Sequence, residues 1–195
     1  MCRIVIALLV LTATFTFAQA KNTSTEPDRY EFAFNSGGKL RMELGAGDVE
    51  IVGSKENKVV VTYTTSKPEQ SKEVKVEADM KDSWGTMKVH CPHNNFHYTI
   101  QVPEKTNLYV RISAGDLKIS GIEGNKDVES HAGDLTIKLD DPAKYGEVDT
   151  SVKVGDLNLP AFNVSKGGMF RSWKRNEKGE YRLHAHLGAG DLTVR

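Results

Sequence analysis

Cysteine, proline, net charge and helical periodicity are all scarce in this chain. Two cysteines occur in 195 residues, and Cys2 lies within a leader-like segment. Once that segment is removed only Cys91 is left, which excludes an internal disulfide framework and leaves the fold to rest on burial. Basic and acidic residues balance at 26 each, so nothing marks a nucleic-acid footprint and no nucleic-acid partner is expected. No stretch shows the 3.6-residue apolar period of a long amphipathic helix. The run from Lys138 to Tyr145 accommodates a turn of helix at most. No phosphate-binding loop, dinucleotide fingerprint or Ser/His/Asp order is present, which argues against an enzyme and against a bound cofactor.

One long apolar run does exist, at the start. Met1-Cys2-Arg3 is short and basic, Ile4 to Phe17 is apolar, and Ala18-Gln19-Ala20 has small residues flanking one larger one. That pattern predicts a secretory signal peptide over 1–20, since the run is shorter than the ~20 residues of a membrane span. Residues 21–29 read as a loose polar leader and 30–195 as a single domain. Loss of Arg3 leaves 25 basic residues against 26 acidic. No further apolar stretch predicts an integral membrane segment in the mature chain.

What the chain has in abundance is one repeated corner. Ala46-Gly47-Asp48-Val49, Ala114-Gly115-Asp116-Leu117, Ala132-Gly133-Asp134-Leu135, Val154-Gly155-Asp156-Leu157 and Ala189-Gly190-Asp191-Leu192 share a small residue, Gly, Asp and an aliphatic. Alternating apolar residues flank each corner, and their phase switches across it. Val110 and Ile112 are even, whereas Leu117 and Ile119 are odd. Strand side chains alternate faces, so a one-residue slip would turn the core face outward unless the backbone bends there. Gly accepts the positive φ of such a bend, and the Asp carboxylate caps the freed N–H groups.

The chain therefore reads as all-β: a β-solenoid or β-roll-like repeat of Gly-Asp corners with hairpin insertions, or alternatively an antiparallel β-sandwich. The corner intervals are 68, 18, 22 and 35 residues. The middle two match single coils, and the long ones must hold hairpins. Lys58 to Thr65, Val74 to Asp79, Thr86 to Cys91 and His97 to Val102 read as strands, with a turn at Pro92-His93-Asn94-Asn95. A final hairpin is expected between Lys166-Gly167-Gly168 and Tyr181, turning at Asn176-Glu177-Lys178-Gly179.

The run from Val102-Pro103 through Leu108-Tyr109-Val110, Ala114-Gly115-Asp116-Leu117 and on to Gly124 resembles the putative-adhesin family of bacterial exported β-strand-repeat proteins. That family joins a Val-Pro…Leu-x-Val strand to successive Gly-Asp repeats. The resemblance is strongest from Ile100 to Leu139 and continues to Arg195. It implies an exported, non-catalytic binding or envelope-associated module of unknown function, periplasmic or secreted. Its partner would be a cell-envelope polymer or envelope protein.

Three other chemistries fit subsets of residues. Stacked Asp116, Asp134 and Asp156 could form a calcium ladder, although a structural corner explains them without metal. His90, Cys91, His93 and His97, or His184 and His186, could hold zinc or copper in a periplasmic metal-binding protein. The last two share a strand face opposite Leu183, Ala185 and Leu187, and so should face solvent. Asp134, Asp140 and Asp141 could serve a polysaccharide-active β-helix enzyme. Lastly, Lys166, Arg171, Lys174, Arg175, Lys178 and Arg182, interleaved with Phe170, Trp173 and Tyr181, form a basic aromatic segment suited either to an anionic partner or to capping a sheet end.

Overall fold

The computed structural model describes residues 29–91 and 95–195. The expected signal peptide, the expected leader up to residue 28 and the Pro92-His93-Asn94 part of the expected turn lie outside the described residues. The first strand already includes Arg29. In chain order the strands are β1 (Arg29–Ala33), β2 (Lys39–Ala46), β3 (Asp48–Ser54), β4 (Lys58–Thr65), β5 (Lys75–Lys81), β6 (Trp84–His90) and β7 (Phe96–Pro103). Then come β8 (Asn107–Ala114), β9 (Leu117–Ser120), β10 (Lys126–Ala132), β11 (Leu135–Ile137), β12 (Tyr145–Val154) and β13 (Leu157–Leu159). The last four are β14 (Val164–Lys166), β15 (Met169–Asn176), β16 (Tyr181–Ala189) and β17 (Leu192–Val194). Only short 3-10 turns interrupt them among the described residues, one at Pro142–Lys144 within the expected helical turn.

Two mixed sheets result. One has nine strands in the order β1-β4-β7-β3-β9-β11-β17-β13-β14, the other eight in the order β15-β12-β16-β10-β8-β2-β6-β5. In the middle of both, six neighbouring strands run parallel. Antiparallel partners are added only at the ends. A purely antiparallel sandwich is thereby ruled out. Each of the five Gly-Asp corners carries a strand of the eight-stranded sheet into one of the nine-stranded sheet, giving the layers β2/β3, β8/β9, β10/β11, β16/β17 and β12/β13, and β6/β7 adds a sixth layer without such a corner.

The layers are stacked out of chain order. The 18-residue interval from Gly115 to Gly133 does separate neighbours, since β9 pairs with β11. The 22-residue interval to Gly155 does not, because β11 pairs with β17, which lies between β11 and β13. The 68-residue interval holds β4 to β7, with the β5–β6 hairpin and one further layer, while β2 pairs directly with β8. The expected final hairpin is absent as well. β15 pairs antiparallel with β12, and β12 separates it from β16. Its local turn signal is outweighed by long ladders on both sides of β12.

The phase switch works as the alternation requires. Ile112, Leu117, Ile119, Leu135, Ile137, Leu187, Leu192 and Val194 are all buried between the sheets. Full burial of such a side chain contributes about 1.5–3 kcal/mol. The small residue before each Gly is not part of that core: Ala46, Ala114 and Ala132 are half-buried, and Val154 is exposed. The corner there has already turned toward the rim.

Candidate functional site

At the corners, the five glycines have φ from +107 to +138°. A Cβ on Gly133 would lie 2.3 Å from the Gly115 carbonyl oxygen, and one on Gly190 2.2 Å from that of Gly133. Backbone stacks on backbone here, and only Gly permits the approach. The aspartates form a ladder in the order Asp48, Asp116, Asp134, Asp191, Asp156. The backbone N–H of Asp134 donates to Asp116 Oδ1 at 3.0 Å, that of Asp191 to Asp134 Oδ1 at 3.0 Å, and that of Asp156 to Asp191 Oδ1 at 3.0 Å. Capping of freed N–H groups thus occurs between layers and not within a turn. Asp134 and Asp156 are not neighbours, so the proposed calcium trio is interrupted by Asp191. Each carboxylate that accepts such a bond is explained by the backbone alone.

The other sequence candidates separate. His90 is exposed while Cys91 is buried, with its thiol against the Tyr98 phenol. His93 lies outside the described residues. His97 is exposed and contacts Asp48, Nδ1 to Oδ2 at 3.4 Å. Among the described residues none of these joins a group of three potential ligands. Asp141 caps the 3-10 turn by accepting from the Ala143 N–H at 3.0 Å, and Asp134 belongs to the ladder. The basic segment runs from β14 through the edge strand β15 to β16, and three of its six charges are paired with carboxylates. Lys174 pairs with Asp149 at 2.8 Å, Arg182 with Glu147 at 2.9 Å, and Arg175 with Glu177. Trp173 stacks on Phe162 with ring centroids 5.1 Å apart, whereas Phe170 is exposed.

His184 and His186 are the pair that the fold brings into company. They project from the outer face of β16, as their alternation predicts, and both are half-buried. Because β16 lies between β10 and β12, register aligns Asp127, His184 and Asp149 in one row, and Glu129, His186 and Ser151 in the next. The His184 Nδ1 is 3.5 Å from Asp127 Oδ1. The His186 Nδ1 contacts the Ser151 hydroxyl, and the two Nε2 atoms face each other within hydrogen-bonding distance. Burial, reinforced by the neighbouring His184, holds the His186 pKa below its ordinary value. Arg111 bridges Asp127 at 2.7 Å and Glu129 at 3.0 Å. A groove of about 690 Å³ opens alongside, between Tyr109, Asp127, Glu147 and Tyr181.

Beneath this face, Lys126 occupies a core row between Leu108 and Leu183. It is 2% exposed. Its ammonium donates to the carbonyls of Ile122 at 2.7 Å and Gly124 at 3.3 Å, and it contacts the Tyr145 hydroxyl. Burial pushes its pKa down to about 8. The sequence held a signal for it, since Lys126 has the same parity as the core residue Val128.

No protein-family model matches the chain, and no curated protein matches it. Among solved structures it is similar to a putative cell adhesion protein from Clostridium sporogenes ATCC 15579. The two are 18% identical with a TM-score of 0.53, over 87% of this chain and 99% of that one. At that identity the likeness is one of fold. A putative adhesin from Bacteroides fragilis NCTC 9343 aligns over 86% of this chain and 96% of its own, with 9% identity and a TM-score of 0.27.

Proposed function

We propose that the chain is an exported, non-catalytic binding module of the adhesin kind, acting in the periplasm or outside the cell on an envelope polymer or envelope protein. In this reading the stacked layers are a short solenoid-like scaffold whose parallel ladders hold two outward faces rigid. The observation that carries it is the polar row across the outer face of the nine-stranded sheet. Register aligns Glu50, Lys118, Thr136, Thr193 and Asn158 from five successive strands. Such a row presents hydrogen-bonding groups at the ~4.8 Å strand spacing, with little ordering entropy left to lose on binding. The fold shared with the clostridial cell adhesion protein agrees with this reading. Among the described residues no helix is long and apolar enough to cross a membrane.

Co-sedimentation of the purified protein with isolated cell envelopes tests the proposal. Saturable binding that Lys118→Glu and Thr136→Arg weaken is the expected result. An absence of saturable binding counts against it and directs attention to soluble partners.

A further inference from the structure

The histidine pair on β16 is arranged as metal ligands are. In a metal site, a ligating imidazole donates its other ring N–H to a carboxylate, hydroxyl or carbonyl, which fixes the tautomer and aims the free lone pair. Both histidines have a neighbour on that side: Asp127 Oδ1 lies 3.5 Å from the Nδ1 of His184, and the Ser151 hydroxyl contacts the Nδ1 of His186. Each leaves its Nε2 directed at the other. A cation placed between them is offered both nitrogens at once. Asp149, next to His184 in the register, supplies a third ligand, and one donor atom from each of the three lies within 4.8 Å of the others.

We propose that His184, His186 and Asp149 form a site for a divalent transition-metal ion, with Zn²⁺ the natural occupant. Two imidazole nitrogens and one carboxylate oxygen suit zinc, copper or nickel, whereas calcium and magnesium call for oxygen alone. An ion about 2.1 Å from each nitrogen sets the two about 3.3 Å apart in tetrahedral geometry, which small χ rotations on a solvent-facing row allow. The charge balance is favourable too. Asp127 and Glu129 pair with Arg111, and Asp149 pairs with Lys174. Lys174 holds one oxygen of Asp149 and leaves the other for the ion. Three protein ligands leave a fourth position open on the solvent side, beside the groove lined by Tyr109 and Tyr181. A partner's donor atom could complete the coordination there.

The test is equilibrium dialysis of the EDTA-stripped full chain against Zn²⁺, with Co²⁺ absorption as a report on coordination. One ion per chain is expected, with affinity reduced at least tenfold in His184→Ala and in His186→Ala. Asp127→Asn should reduce it by about tenfold through the orientation of His184, and His90→Ala/His97→Ala should leave it unchanged. Far-ultraviolet circular dichroism establishes that the variants remain folded. Co²⁺ should develop visible bands in the native chain that both β16 variants lack. Unchanged affinity in those two variants would overturn the assignment, as would an absence of saturable uptake below about 1 mM Zn²⁺.

Discussion

The corner edge and the patch formed by β10, β16 and β12 are built from the same stacked layers, yet they treat polar groups in opposite ways. At the corners five layers offer the same Gly and Asp, and the carboxylates of Asp116, Asp134 and Asp191 each accept from a backbone N–H in the adjacent layer. In the patch adjacent layers offer different residues. Asp127, His184 and Asp149 occupy one row, and Lys126 replaces an aliphatic in the row beneath. Repetition in this chain records architecture. Where the repeat is broken by groups that need partners from other layers, chemistry becomes possible.

The largest expected effect breaks the repeated side of that comparison. Gly133→Ala places a Cβ 2.3 Å from the Gly115 carbonyl at a φ of +107°, and the backbone of two layers must separate to admit it. Destabilisation of more than about 3 kcal/mol in urea titration is expected.

The next effect belongs to the unrepeated side and depends on pH. The folded chain releases the Lys126 proton near pH 8, against an ordinary value of 10.5. Between those values the unfolded chain binds more protons, so stability should rise with pH through that window. Complete relief is on the order of 2–3 kcal/mol. Above pH 10 the slope should reverse, because burial raises the Tyr145 pKa and the unfolded chain loses that proton first. In Lys126→Met the rise between pH 8 and 10 should vanish. Its persistence would show that other groups produce it.

Asp134→Ala sharpens the comparison more gently. It removes the acceptor for the Asp191 N–H at a solvent-exposed rim, where water substitutes in part. A loss of about 1 kcal/mol is expected by the same titration. Smallest of all is Lys138→Ser on the exposed face, which should alter stability by less than about 0.5 kcal/mol. A larger change would mean that this surface bears on the fold itself.

These contrasts also explain what the sequence discloses. Corners and burial parity are local properties, and Leu117, Ile119, Leu192 and Val194 are buried as their alternation demands. Which layer lies beside which is set by long-range pairing, and the spacing of Gly133 and Gly155 gives no hint that β16 and β17 pass between them. The turn at Asn176–Gly179 likewise signals a reversal, but not that β12 occupies the position between its two arms. The same reason divides the site. The outward parity of His184 and His186 is legible along β16. Asp127, 57 residues before His184, and Asp149, 35 residues before it, reach them only through strand order. Asp127, Glu129 and Asp149 could not be selected from the many charged residues of an alternating strand, and the inward parity of Lys126 gives no sign that Tyr145 is its partner.

The insertion of β16 between β10 and β12 sets an order of events as well as an order of strands. A chain emerging amino end first, from a ribosome or a translocation pore, exposes β10 and β12 with an unfilled slot between them until β16 arrives, about 30 residues after the end of β12. Until then both flanking strands present open hydrogen-bonding edges, the condition that invites pairing with the wrong chain. The eight-stranded sheet becomes continuous in one late step, and the two histidines reach their carboxylate neighbours in that same step. Closure of the eight-stranded sheet and assembly of the site are therefore a single event, and a chain cut before Tyr181 would have neither.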